Sequence, residues 1–590
     1  MKKFLMGFAC GVLAIILVAG IGAYLVLNPG SEPVAQEKRF ASVSDVASAP
    51  SLKEHTKIFE QRIEEVIPNV HVAIGYGLAN VIIIEAPEGL IVVDTLESIR
   101  AAEKLLPWID ELRKRSGKAI TDIIYTHNHA DHVFGAGVFI RGQEKRPRIW
   151  AHKHTAERVY NVVNVLRPII FKRSMRQFGT YLPDAAFENA GIGPFLDTDH
   201  SAGVHFLKPT HVIDDHLEQV ISGERIIFRH APGETPDQLL IYFPTRKLLL
   251  PADNYYHAFP NLYAIRGTPY RDVRQWAESI DAMIRLAPEI MIPQHTQPVI
   301  GAEEIREQLT SYRDAIQFVH DQTVRMINKG MTADQIATRL ILPPHLANAP
   351  YLQPFYGRVD WASRAVFSGV LGWFSGDPED LLPVAKARES ELISRLAGGN
   401  DRLKEEFKRA MEEKEPAWAL VLATHMYRLG DEGANAMRAQ AMRALGEREI
   451  SATGRNYFLT MAAEVEGFEI PRSQADNTPL EVLNAIPVEN YLNALQVGLK
   501  AEDVLDIETA FGFNFTDLDA PYTMRIRRGI AVIETGLTNG RAGTLIADSS
   551  IFKQIAAKRL SPAAALLSGE LRIEGGPAAL QKFLGYFEQP

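Results

Sequence analysis

Tyr125-Thr126-His127-Asn128-His129-Ala130-Asp131-His132 packs three imidazoles and one carboxylate into six residues, 127–132. The run before it, Ile120-Thr121-Asp122-Ile123-Ile124, is largely apolar and β-branched, which predicts a strand. The run after it, Val133-Phe134-Gly135-Ala136-Gly137, reads as the start of a helix. A strand that empties into such a turn is suited to holding metal. Neutral imidazole and carboxylate are the donors that borderline ions such as zinc prefer.

Outward from this turn the same arrangement recurs. Strand-like runs at 225–228, 247–250 and 289–292 are followed by Pro232-Gly233-Glu234, Pro251-Ala252-Asp253 and Pro293-Gln294-His295. Taken singly, Glu234 and Asp253 are ordinary turn residues and His295 an ordinary histidine. Together with His127, His129, Asp131 and His132 they make seven donors, the number two ions require when one carboxylate bridges them. Strands at 81–84, 90–93, 120–125 and 148–151 alternate with helical spacing at 97–115 and 271–286, so residues 57–308 are expected to form an α/β layered domain. The Gly/Pro-rich stretch 167–205 is expected to form loops over the site.

The chain has 590 residues, 46% hydrophobic and 23% charged, which implies several globular domains. A net charge of -9 argues against nucleic acid as a partner, since phosphate binding needs a basic surface. Lys2 and Lys3 precede an uncharged apolar run, residues 4–27. As a helix that run spans about 36 Å, enough to cross a bilayer. Residues 1–30 therefore read as a signal anchor, with the lysines in the cytoplasm and the rest on the periplasmic side. Cleavage and secretion to the periplasm is the alternative. Residues 31–56 read as a linker. The single cysteine, Cys10, lies inside the apolar run, so the exported part has neither disulfides nor a thiol nucleophile.

Residues 309–470 read as all-helical, interrupted by an aromatic, Gly-rich section from Tyr351 to Gly376. Residues 478–590 read as a small α+β unit without histidine, better suited to binding or structure than to catalysis.

The residues of the turn match the T-H-x-H-x-D-H motif of the metallo-β-lactamase superfamily. Further strings are narrower: Pro251-Ala252-Asp253-Asn254, Asn261-Leu262-Tyr263-Ala264-Ile265-Arg266-Gly267, Phe355-Tyr356-Gly357, Leu371-Gly372-Trp373-Phe374-Ser375-Gly376 and Gly454-Arg455-Asn456-Tyr457-Phe458-Leu459. With them the chain resembles the linear alkylsulfatases over nearly everything after residue 55. The resemblance implies a metallo-β-lactamase-like αββα sandwich, then an all-helical dimerisation domain, then an α+β domain similar to sterol carrier proteins. It implies two Zn2+ per chain. His127, His129 and Glu234 would hold one, Asp131, His132 and His295 the other, and Asp253 would bridge them. Asn261 and Arg266 match positions that bind the sulfate group, a role that suits the paired donors of a guanidinium. The implied substrate is an amphiphilic sulfate ester, the implied assembly a homodimer through the helical domain, and the implied reaction release of an alcohol and inorganic sulfate.

Three departures stand out. Asp253 occupies a position where the family usually has Glu. The string Pro232-Gly233-Glu234-Thr235-Pro236 is one residue shorter than the family's. A family tyrosine near the sulfate falls on Phe178, with Tyr181 nearby as the candidate contact. The turn alone leaves other reactions open, namely lactone, lactam, thioester or phosphodiester hydrolysis. So does a non-catalytic, membrane-anchored lipid-binding role.

Overall fold

The computed structural model describes residues 43, 46–199, 201–471 and 479–588. The expected membrane segment, most of the linker and residues 472–478 lie outside the described residues. Among the described residues, no helix is long and apolar enough to cross a membrane.

Two sheets face each other in the catalytic unit. The first runs β1 (Arg62–Ile67), β2 (Val70–Ile74), β3 (Val81–Ala86), β4 (Gly89–Val93), β5 (Ile120–Ile124), β6 (Arg148–His152) and β7 (His211–Ile213), in that spatial order. It is antiparallel as far as β4 and parallel from β4 to β7. The second has the order β13 (Val299–Ile300), β12 (Ile290–Met291), β11 (Leu248–Leu250), β10 (Leu239–Phe243), β9 (Glu224–His230) and β8 (His216–Ile221).

The two-residue period of a strand explains the layering. In β4, Ile91 and Val93 enter the core between the sheets, while Leu90 and Val92 enter the core beneath the outer helices. In β10, Leu239, Ile241 and Phe243 face the other sheet and Leu240 and Tyr242 face helices on the opposite side. Both strands are buried on both faces, which is why they read as unbroken apolar runs. The result is the expected αββα sandwich.

Several local expectations change. Residues 97–115 form two helices, Ile99–Glu103 and Leu106–Ser116, because Pro107 favours the first turn of a new helix over the interior of an old one. The stretch 167–205 is not all loop. Arg167–Phe178 is a helix, again with proline in its first turn and with Gly179 in the left-handed conformation that ends it. The boundary expected between 308 and 309 falls inside a continuous helix, Ala302–Ile327. That helix carries Ile305, Leu309 and Ile316 into one core with Leu240 and Trp276, so no composition break could mark a junction there.

Five helices, Lys386–Ala397, Asn400–Glu412, Pro416–Arg428, Ala434–Arg448 and Ala452–Val465, pack in succession through the helical region. The C-terminal unit is a five-stranded sheet, β16 (Ile530–Thr535), β15 (Tyr522–Arg527), β14 (Glu508–Phe515), β17 (Gly543–Ala547) and β18 (Leu571–Glu574), with helices around it.

The end of the linker belongs to the fold. Pro50–Thr56 is a helix, and its Leu52 is fully buried beside Phe178, Tyr256 and Tyr356. Burying that side chain contributes about 2 kcal/mol. Arg455, itself fully buried, donates to the carbonyls of Val46, Ala47, Ala186 and Gly446. The string Gly454-Arg455-Asn456 thus ties the chain entering the catalytic unit to the helical one.

His55 adds a pH dependence. Its Nε2–H donates to the Gly191 carbonyl at 2.8 Å, and its ring stacks on Phe355 with centroids 4.0 Å apart. Burial pulls its pKa from 6.5 down to about 4. Between those values the unfolded chain binds more protons than the folded one. The stability this group contributes is therefore full above pH 6.5 and lost as pH falls towards 4, by at most about 3 kcal/mol. His55→Gln is expected to flatten the urea-midpoint profile between pH 6.5 and 4. An unchanged profile would show that His55 does not carry it.

Candidate metal centre

Every candidate donor stands on a connection that leaves the C-terminal end of a strand: β5 for residues 127–132, β9 for Glu234, β11 for Asp253 and β12 for His295. Leu239 N–H donates to the Thr126 carbonyl at 2.9 Å, so the start of β10 is stitched to the His-rich turn across the two sheets. Gly233 lets the β9–β10 connection close in: a Cβ there would collide with the Asn254 side chain.

Each of three imidazoles is held by one nitrogen and turns the other inward. The Nδ1–H of His132 donates to Asp94 Oδ2 at 2.8 Å, that of His127 to Thr126 Oγ1 at 3.0 Å, and that of His295 to the Leu78 carbonyl at 2.9 Å. Thr126 in turn donates its hydroxyl and its N–H to Asp94, both at 2.8 Å. Such outer contacts fix tautomer and ring orientation in metal sites. Asp94 ends β4 with a positive φ of 60° and is fully buried.

The inward atoms fall into two sets. His127, His129 and Asp253 form one, and Asp131, His132 and His295 the other, with the ligand atoms of each set within 4.8 Å of one another. Asp253 Oδ2 lies 3.5 Å from His127 Nε2, 3.4 Å from His132 Nε2 and 3.2 Å from His295 Nε2, so it stands between both sets. Asp131 Oδ2 is 3.4 Å from the Nε2 atoms of His132 and His295.

Glu234 is placed differently from expectation. It is buried beside Asp253, but Asp253, not Glu234, completes the set with His127 and His129. Its Oε1 accepts from Arg271 Nη1 at 2.8 Å, a contact that competes for the carboxylate. Its Oε2 has no hydrogen-bond partner among the described residues.

The electrostatics suit cations. Burial, then the neighbouring His132, pulls His127 down to about 3. Burial, then His127 and the Arg266 and Arg271 guanidiniums, holds His129 well below the usual imidazole range. Both rings are therefore in the neutral, ligating form. Burial opposes ionisation of Asp253, but His295, His132 and His127 outweigh it and keep the carboxyl well below its ordinary value. Glu234 is raised to about 7 by burial, with Arg271 opposing. His127 Nε2, His132 Nε2, Asp253 Oδ1 and Glu234 Oε2 are all buried without hydrogen-bond partners among the described residues. Orphaned acceptors at this density are costly without an ion to receive their lone pairs. The residues present therefore fit metal.

Arg266 stands at the edge of the centre. Its Nη2 donates to His129 Nε2 at 3.1 Å, and its backbone N–H is held by Gln177 Oε1 at 2.9 Å. Asn261 is buried, and its N–H donates to the Tyr256 hydroxyl at 2.7 Å. Tyr181 packs against Phe468 in an apolar cluster shared with the helical unit and also against the cluster that holds Phe178, Tyr256 and Tyr356. The phenols beside the centre are Tyr256, its ring 6.2 Å from that of His295, and Tyr356, which feels the charges of Glu234, Arg266 and Asp131. Sequence reasoning missed Asp94, Tyr256, Tyr356 and Arg271 as parts of the site. Arg271 follows Arg266 by five residues, just ahead of the helix Val273–Arg285, and that proximity was the available signal.

Fold and site together define a metal-dependent hydrolase of metallo-β-lactamase type. Comparison with known proteins agrees. Residues 74–295 match the metallo-beta-lactamase superfamily, 332–467 the alkyl sulfatase dimerisation domain and 476–590 the alkyl sulfatase C-terminal domain. A linear primary-alkylsulfatase from a Pseudomonas strain is 34% identical over 522 residues, covering 86% of this chain and 98% of that one. An (R)-specific secondary-alkylsulfatase, also from Pseudomonas, is 27% identical over 536 residues, covering 89% and 80%. The solved structure of a stereoselective inverting sec-alkylsulfatase from Pseudomonas superposes with a TM-score of 0.84 at 25% identity, covering 93% of this chain and 89% of that one. The chain belongs to the linear alkylsulfatase family.

Proposed function

We propose that this protein hydrolyses alkyl sulfate esters to an alcohol and inorganic sulfate at a two-zinc centre. The observation that carries this reading is the Arg266 guanidinium set against His129, at the rim of two donor sets that share Asp253. An anion held there would meet the centre directly. Two divalent ions, when bound, supply an acidified water and positive charge for a departing anion. His127, His129 and Asp253 would hold one, Asp131, His132 and His295 the other, with Glu234 Oε2 available to the first.

The chain's own residues do the rest. Asp94 and the Leu78 carbonyl keep the protons of His132 and His295 on Nδ1, leaving Nε2 free to ligate. Arg266 and Asn261 orient the sulfate and offset the charge that grows on it. The Tyr256 hydroxyl, holding Asn261 N–H, fixes that residue's place.

The helical unit would pair two copies. Trp373 and Leu382, 77% and 90% exposed in the single chain, are the apolar groups such pairing would cover. By resemblance the C-terminal unit would hold the alkyl tail, and the apolar run 4–27 would tether the enzyme on the periplasmic side.

Residues 31–590 stripped of metal are expected to release no sulfate from dodecyl sulfate. Zinc reconstitution is expected to restore release as about two ions bind per chain. A fully metallated protein that spares alkyl sulfates but opens a lactone or phosphodiester would overturn the proposal.

A further inference from the structure

His132 and His295 share a donor set with Asp131, and both are braced from one short connection, the one that leaves β4. Asp94, at its start, takes the Nδ1–H of His132 directly. Glu97, further along it, reaches His295 through the backbone. Its two carboxylate oxygens accept the Leu78 N–H at 3.2 and 3.1 Å, and Oε1 also accepts the Asp197 N–H at 2.7 Å. On the other side of the same α-carbon, the Leu78 carbonyl accepts the His295 Nδ1–H at 2.9 Å.

Glu97 is fully buried, and its contacts are to backbone N–H groups, with no cation paired to it among the described residues. A carboxylate is costly in such a place unless positive charge lies close by. The Asp131 carboxylate is near enough for the two charges to interact, so Glu97 stands beside the donor set built to receive a cation. The chain is shaped around this arrangement. A Cβ on Gly77 would meet Glu97 Oε2 at 2.5 Å, and one on Gly193 would strike the Leu78 carbonyl oxygen. Asn80 Nδ2 donates to the carbonyls of Pro293 and Thr296 at 3.0 and 2.9 Å, which clamps the Leu78 segment to the connection that carries His295. A displaced Leu78 would therefore displace the anchor of the His295 ring.

We propose that Glu97 is a positioning residue of the metal centre: by holding the Leu78 N–H it fixes the carbonyl that orients His295, and with Asp94 it aligns both imidazoles of the Asp131–His132–His295 set. It acts through Leu78 and touches neither ion nor substrate. The inference rests on the two-zinc reading above.

Zinc titration of the metal-free full chain against a competing chelator reads the two affinities without reference to turnover. Glu97→Ala is expected to keep the ion on His127, His129 and Asp253, and to bind the other about 10- to 100-fold more weakly. Glu97→Gln, whose amide oxygen can still accept from Leu78 and Asp197, is expected to recover most of that loss. Two unchanged affinities in Glu97→Ala would overturn the inference and leave the two-zinc reading intact. So would two affinities weakened alike, because a merely structural role loosens the whole centre. Wild type that binds a single ion would instead defeat the two-zinc reading, and this inference with it. If Glu97→Ala fails to fold, a crystal of the zinc-loaded wild type decides the matter. Leu78 held by Glu97, with its carbonyl on His295 Nδ1, supports the inference. His295 oriented by another group, or a Leu78 N–H turned away from Glu97, refutes it.

Discussion

Asp253→Ala is expected to cut turnover of dodecyl sulfate roughly ten-thousand-fold, with loss of bound metal. The size follows from where its Oδ2 stands. It lies 3.2–3.5 Å from the Nε2 atoms of His127, His132 and His295, so one carboxylate serves both donor sets. Removing it takes the first set from three donors to two and strips the shared anion from the second. It also leaves inward imidazoles facing one another, with the negative charge between them gone. Asp253→Glu is the informative control, because the family usually has Glu there. It is expected to keep metal and a measurable share of activity. Metal analysis beside turnover makes the test sharp: an Asp253→Ala enzyme that holds two ions and works within tenfold of wild type would show that Asp253 bridges nothing.

Arg266→Ala is expected to lower kcat/KM for dodecyl sulfate by about 100- to 1000-fold while metal content stays at wild-type level. Arg266 belongs to neither donor set, so its loss should not release ions. Its Nη2 touches His129, and the Gln177 amide pins its backbone, so the guanidinium is aimed before any substrate arrives. That preorganisation is what a transition state gaining charge on sulfate can use. Arg266→Lys should recover only part of the loss, since an ammonium lacks the planar fork. Turnover unchanged in a metallated Arg266→Ala enzyme would remove sulfate from the role assigned to this residue.

Much of the site was legible because it is local. Four donors sit within one turn, and no packing is needed to bring His127, His129, Asp131 and His132 together. The strands that deliver the other donors were legible from their short apolar runs: β11 is buried throughout, while β9 alternates buried residues with exposed or half-buried ones. The helix Arg167–Phe178 was harder. Its first turn carries Pro168 and it lies beside Gly-rich sequence, so composition pointed to loop while its buried face, Met175 and Phe178, is supplied by partners from the helical unit and from residue 52.

By itself, then, the chain's sequence determined the ligand chemistry, the layered α/β class and the order of its three units. Those depend on residue type and on short periods along the backbone. Only the tertiary structure decided that Arg271 claims one oxygen of Glu234, that Tyr256 and Tyr356 stand beside the centre, and that residues 46–56 are part of the wall behind it. Each of these is a through-space competition between segments distant in the chain. In a desolvated centre a shift of about an ångström decides which charge pairs with which, and no spacing along the sequence encodes that distance.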